Sequence, residues 1–295
     1  MRAITRRQFA MVPAAALAAG ATMRPAFAQS PSALITRAIP VNGEPLPAVG
    51  LGTAEVFDTD DAATRQSASA VIQALVDNGG TLIDTASTYG DAERVIGDVT
   101  APTGLRNKLF IATKLESPDG EELKRSLRRL QTEKVDLLQL HNVSDPKQSL
   151  AAFNQWKAAW SMPLHRHHLD LPRGVPRGRS RSGVQIDYSI DDREAEKRIL
   201  PLAADKGSAV LTAVPFGRGR LFGAVRGKEI PYWASEFAAS WAQFFLKYLL
   251  GDPRVTAVIP GSSDALHMTD NLGAMHGPLP NPDQRRQMVQ FIEAL

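Results

Sequence analysis

Four side chains able to move or steady a proton stand at, or just beyond, the ends of successive apolar runs: Asp84, Tyr89, Lys114 and His141. A phenol ordinarily keeps its proton up to a pH of ~10. An ammonium beside it stabilises the phenolate and eases proton release, while a carboxylate holds that ammonium charged and in place. An imidazole close by can donate to a carbonyl oxygen, orient the carbonyl and polarise it. Taken singly, each residue has a plain structural use, as turn cap, rim aromatic, solvated strand end or hydrogen-bonded core histidine. Together they make a proton donor that lacks only a reductant, so a hydride-bearing cofactor is implied.

The elements that must position these groups alternate in type. Short apolar runs at 46–52, 81–85, 109–114, 135–141, 184–189, 209–216 and 255–260 read as strands. Helical patterns at 61–77, 92–99, 121–130, 148–159, 193–206, 232–250 and 283–295 follow most of them. Val-Asp-Leu-Leu-Gln-Leu and Leu-Phe-Ile-Ala-Thr are apolar on both faces, as parallel strands covered by helices must be. Seven strand–helix units point to an α/β fold, a (β/α)8 barrel of TIM type with one stave unrecognised. A doubly wound sheet is the second choice, and no G-x-G-x-x-G follows its first strand. Asn42-Gly43, between 34–40 and 46–49, predicts an N-terminal β-hairpin closed by a type I′ turn.

The missing fifth unit belongs in the segment 160–183, WSMPLHRHHLDLPRGVPRGRSRSG. It holds five Arg, three His, three Pro and three Gly, with no Ala, Ile, Glu or Lys, although its flanks are rich in those four. One reading is a long surface loop or lid, of a length uncommon in compact domains. Another makes His165, His167 and His168 metal ligands, or the arginines an anion site, but the spacing fits no metal motif. Composition and periodicity break together and recover together, which favours a third reading, an out-of-frame stretch. The expectation is then no regular fifth strand, with exposed edges on the strands flanking the gap.

The protein has 295 residues, 43% of them hydrophobic, enough for one large core. It has no cysteine, which excludes disulfides, thiolate metal sites and cysteine nucleophiles. The net charge of +3 is uneven, because residues 1–28 carry four Arg and no acid. The remainder carries 30 basic against 31 acidic groups, so no basic footprint for nucleic acid is left. Thr5-Arg6-Arg7-Gln8-Phe9 resembles a twin-arginine motif, an Ala-rich stretch follows, and Ala26-Phe27-Ala28 reads as a cleavage site. Residues 1–28 are therefore read as an export signal for the twin-arginine machinery, and 29–295 as the barrel, periplasmic or otherwise exported, with no membrane span in the mature form.

LPAVGLGTAEVFD, GGTLIDTASTYGDAERVIG, KLFIATKL and KVDLLQLHNV resemble successive signatures of the aldo-keto reductase family. VQIDYSI, AVLTAVPFGRGRLF and VTAVIPGSSDALHMTDNLGA resemble its later ones, so the likeness spans 35–295 apart from 160–183. It implies a (β/α)8 barrel that reduces aldehyde or ketone carbonyls of small molecules with NAD(P)H and without metal. By position, Tyr89 would be the general acid, Lys114 and Asp84 would tune it, and His141 would place the carbonyl. The cofactor would be met by Gly52, Thr53, Asp84, Gln185, Phe216, Gly217, Gly261, Ser262, His267 and Asn271. Gly261 and His267 stand where many members carry Lys and Arg for a 2′-phosphate, which leaves NADP and NAD both open. The competing expectation is a reductase-like protein without catalysis, a cofactor-binding module or the defective product of a frame-disrupted gene.

Overall fold

The computed structural model describes residues 33–40, 42–142 and 183–295, together with Ala151 and Gln155. Strands β1 (Thr36–Ala38) and β2 (Pro45–Pro47) form the expected antiparallel hairpin. Its closure differs from the expectation. Ile39 N donates to Glu44 O at 2.8 Å, and Ile39 O accepts from the amides of both Asn42 and Gly43. Gly43 is left-handed at φ +76°, and the strands close at the pair Ile39–Glu44, a longer loop than the two-residue Asn42-Gly43 turn of type I′. The apolar run 46–52 divides accordingly, its first part joining the hairpin and its last forming β3 (Leu51–Gly52).

Six further strands follow: β4 (Leu82–Asp84), β5 (Phe110–Leu115), β6 (Leu137–Leu140), β7 (Val184–Asp187), β8 (Val210–Ala213) and β9 (Ala257–Val258). All pairings from β3 onward are parallel, in the orders β3-β4-β5-β6 and β7-β8-β9. Parallel bridges Val49–Val258 and Gly52–Gly261 join β9 back to β3. A Cβ at Gly52 would fall 2.8 Å from Ile259 O, so only glycine lets these two strands meet. The sheet is thus a (β/α)8 barrel wall, continuous from β7 through β9 and β3 to β6. Among the described residues no strand lies between β6 and β7. The segment 160–182, and with it the expectation of a disrupted fifth stave, lies outside the described residues, as does most of the helix expected at 148–159.

Helices α1 (Ala62–Asp77), α2 (Ala92–Thr103) and α3 (Gly120–Arg129) follow β3, β4 and β5. The pattern at 193–206 is broken into α4 (Glu194–Lys197) and α5 (Ile199–Lys206). Pro201 explains the break, since its ring excludes the turn bond back to Lys197 O. The pattern at 232–250 is likewise not one helix. After the short α6 (Arg220–Ala224), α7 begins only at Trp241 and runs to Leu250, because the Ser240 side chain accepts from Gln243 N and caps it there. Helices α8 (Ala265–Gly273) and α9 (Pro282–Glu293) complete the set. Asn281 and Gln284 form a reciprocal capping box on α9. No helix of the described residues is long and apolar enough to cross a membrane.

Alternation along each strand divides the core in two. Outward residues such as Ile83, Ile111 and Val258 pack beneath the helices. Inward residues Leu82, Ala112, Leu211, Ala257 and Ile259 form a smaller apolar layer, which Leu46 of the hairpin closes from below. One position further along these strands the inward residues turn polar.

Lys247 of α7 is a buried cation whose ammonium donates to the carbonyls of His276 and Pro278, pinning the loop before α9. Burial pulls its pKa from 10.5 down to about 8. Between those values the unfolded chain binds more protons than the folded one, so stability rises with pH, by up to about 1.4 kcal/mol per unit. Above a pH of about 10 the direction reverses, because burial pushes the Tyr188 and Tyr248 hydroxyls up and unfolded phenols ionise first. Thermal unfolding of Lys247→Met should therefore lose the rise in Tm that the wild type shows between pH 8 and 10. A rise of equal size in both proteins would remove Lys247 as its source.

Candidate active site

The polar layer is built where β4, β5, β6 and β7 end. Parallel register sets Asp84 beside Ala112, and Lys114 beside Gln139. Lys114 is 3% exposed and Asp84 2% exposed, so neither charge is hydrated. The Lys114 Nζ donates to Asp84 Oδ2 at 2.7 Å, Thr85 O at 2.9 Å and Tyr89 Oη at 3.3 Å, which uses all three of its protons. It also lies 4.7 Å from the centroid of the Tyr89 ring. Asp84 is held from its other sides by Gln139 Nε2 at 3.3 Å and Gln185 Nε2 at 3.2 Å.

His141 meets Tyr89 edge to face, with ring centroids 5.5 Å apart. Its Nδ1 lies 3.1 Å from Thr88 Oγ1 and 3.8 Å from Glu116 Oε1. Burial, and then the positive charge of Lys114, hold the imidazole below its ordinary pKa, which keeps it neutral at neutral pH. A hydrogen bond donated by the Thr88 hydroxyl to Nδ1 would leave Nε2–H as the free donor. The structure therefore brings Asp84, Tyr89, Lys114 and His141 together.

Tyr89 sits on a loop rather than a strand, and backbone contacts fix it. Ser87 N donates to Lys114 O at 3.0 Å, and Asp91 N to Asp58 O at 3.0 Å. Gly90, at φ +53°, comes so close to Asp58 that an added Cβ would lie 2.3 Å from the Asp58 oxygen. Asp60 pairs with both Arg65 of α1 and Arg94 of α2, at 2.5 and 3.0 Å, tying the two loops through their helices.

The residues expected around a cofactor also gather at this end of the barrel. Gly52 and Gly261 are bridged, and buried Thr53 donates through both Oγ1 and N to Asp84 O. Ser262 accepts from Asp264 N at 3.2 Å, and the Asp264 carboxylate caps α8 through the amides of Leu266 and His267. His267 and the buried Asn271 are four residues apart on α8, hence on one face. Phe216 packs on Phe222 and Phe245, and Gly217 is left-handed at φ +57°. The Gln185 Oε1 is buried without a hydrogen-bond partner among the described residues, while its Nε2 serves Asp84. An acceptor left open in this way fits the amide N–H of a nicotinamide.

Gln139, Thr88 and Gly90 were not singled out from the sequence. Gln139 did carry a signal: two residues before His141 it shares that residue's face of β6, a polar side chain on an otherwise apolar strand. Among the described residues no group of three His, Cys, Asp or Glu could hold a metal ion.

Residues 48–160 and 181–290 match the sequence profile of the Aldo/keto reductase family. The chain is 30% identical over 249 residues to a methylglyoxal reductase of Escherichia coli, covering 78% of this chain and 86% of that one. It superposes with a TM-score of 0.70 and 26% identity on an aldo-keto reductase of Klebsiella pneumoniae solved with NADPH, covering 88% and 96% of the two chains. A glycerol dehydrogenase of Gluconobacter oxydans, at 23% identity and TM-score 0.70, shares the fold over 88% and 95%. The chain belongs to the aldo/keto reductase family and is, with that family, an oxidoreductase.

Proposed function

We propose that the protein reduces the carbonyl of a small aldehyde or ketone to an alcohol with NAD(P)H, with Tyr89 as proton donor. The observation that carries this reading is the Lys114 ammonium, bonded at once to Asp84, Thr85 O and Tyr89 Oη. A relative named for methylglyoxal reduction and a neighbour solved with NADPH support the substrate class and the cofactor. When bound, the reduced nicotinamide supplies the hydride that the carbonyl carbon gains. His141 orients the carbonyl through Nε2–H, and the Tyr89 hydroxyl gives its proton to the carbonyl oxygen as the C–O double bond becomes single. The phenolate left on Tyr89 is stabilised by Lys114 until water returns a proton. Asp84 keeps that ammonium charged, and Gln139 and Gln185 keep Asp84 in place. Gln185 Oε1, Thr53, the Gly52–Gly261 bridge and the Phe216–Gly217 turn are the groups that would hold the cofactor, with Ser262, His267 and Asn271 beyond them.

Residues 1–28 are proposed as a twin-arginine export signal and 29–295 as the exported enzyme, on the strength of Arg6-Arg7, the Ala-rich stretch and Ala26-Phe27-Ala28.

Tyr89→Phe should lower kcat by ~10²–10⁴ while NADPH still binds with nearly wild-type affinity, measured by steady-state rates and fluorescence titration. Retained turnover would remove Tyr89 from the acid role. Gly90→Ala should cost about 10² in kcat by pushing Tyr89 off Lys114, with cofactor affinity kept. An unaltered kcat would show that the Asp58 contact does not place Tyr89. Replacing Arg6 and Arg7 together by Lys should leave the protein in the cytoplasm with residues 1–28 attached, as read by cell fractionation and N-terminal sequencing. Normal export of that variant would overturn the signal reading.

A further inference from the structure

Glu116 lies just past β5, two residues beyond Lys114, at the rim that carries Tyr89 and His141. Its carboxylate is 57% exposed, and Oε1 stands 3.8 Å from His141 Nδ1. Its backbone is fixed, because Glu116 N donates to Glu122 Oε1 at 3.1 Å, and the same oxygen accepts from Ser87 Oγ at 2.6 Å. The backbone that carries the carboxylate is therefore held at the imidazole's side by a short, tied loop.

Among the described residues no positive charge is paired with it. The Lys114 ammonium is spent on the Asp84 carboxylate at 2.7 Å. Arg129 is engaged by Glu93 at 3.6 Å and Ser87 O at 3.2 Å. His141 itself is kept neutral by burial and by Lys114. Among the described residues, no lysine or arginine comes within ion-pair distance of Glu116. Glu116 is thus the carboxylate that borders the imidazole on this side among the described residues.

We infer that Glu116 sets the charge preference of the carbonyl site, admitting neutral aldehydes and ketones and disfavouring those that carry a carboxylate near the reacting group. The inference rests on the proposed role of His141 as the group that orients the carbonyl. A substrate oxygen bonded to His141 brings its substituents within a few ångströms of Glu116. Like charges at that range in a half-wetted site repel enough to discriminate by about tenfold, and salt weakens the effect.

The test compares 4-carboxybenzaldehyde with 4-nitrobenzaldehyde, which differ in charge at one ring position, as the ratio of their kcat/KM values with the full-length protein and NADPH. The ratio should favour the nitro compound in the wild type, shift about tenfold towards the carboxylate in Glu116→Gln, and shift further in Glu116→Arg. Both shifts should shrink in about 0.5 M salt. An unchanged ratio in both variants, with 4-nitrobenzaldehyde still reduced, would overturn the assignment of Glu116 alone. If the wild type reduces neither aldehyde, the proposed reaction fails, and this inference fails with it.

Discussion

A lysine ammonium and an aspartate carboxylate, 2.7 Å apart and both almost without solvent, are the constraint around which this barrel is arranged. Removing two such charges from water costs several kcal/mol each, and their attraction offsets that only when every remaining donor and acceptor is met. Here they are met. Lys114 has three acceptors, and Asp84 has Lys114, Gln139 and Gln185 as donors. These partners come from four strands and one loop, so slipping β4 or β5 by one residue would leave a buried charge unpaired, and slipping β6 or β7 would take a donor from Asp84. The pair therefore specifies register more than it stabilises the fold.

Backbone strain gathers at the same end of the barrel. Among the described residues five non-glycine positions have positive φ, and Glu55, Asn142, Val214 and Arg218 of these lie in the segments that leave β3, β6 and β8. For a β-branched residue such as Val214, at φ +55°, this is a costly conformation. The opposite end of the barrel, filled by Leu46, Leu82, Ala112, Leu211, Ala257 and Ile259, is an ordinary apolar layer. Stability is concentrated at the floor and strain at the rim, the division that (β/α)8 enzymes generally show.

Much of this was legible in the sequence because strands buried on both faces leave an unmistakable apolar run. All seven runs contain a strand, and Asp84, Tyr89, Lys114 and His141 converge as their positions at the strand ends imply. What escaped depended on single residues whose effect is local. Pro201 and Ser240 each interrupt a periodicity that continues past them, and Pro40 stands in a turn that Asn42-Gly43 alone would have closed more tightly. Gly90 escaped for a different reason. Its importance comes from an approach to Asp58 that no local pattern encodes.

The stretch in which composition breaks, 160–183, coincides with the gap in the family match, which stops at 160 and resumes at 181. In the chain it falls between β6 and β7, and among the described residues no ladder joins these two strands. Gln139 of β6 and Gln185 of β7 both reach inward to Asp84 of β4, so one carboxylate spans the two edges from inside the barrel. Asp84, Tyr89, Lys114, His141 and their nearest partners all come from residues outside the anomalous stretch. The proton-donating group is thus assembled from β4, the loop after it, β5 and the end of β6, with Asp84 held by residues from both sides of the break in composition.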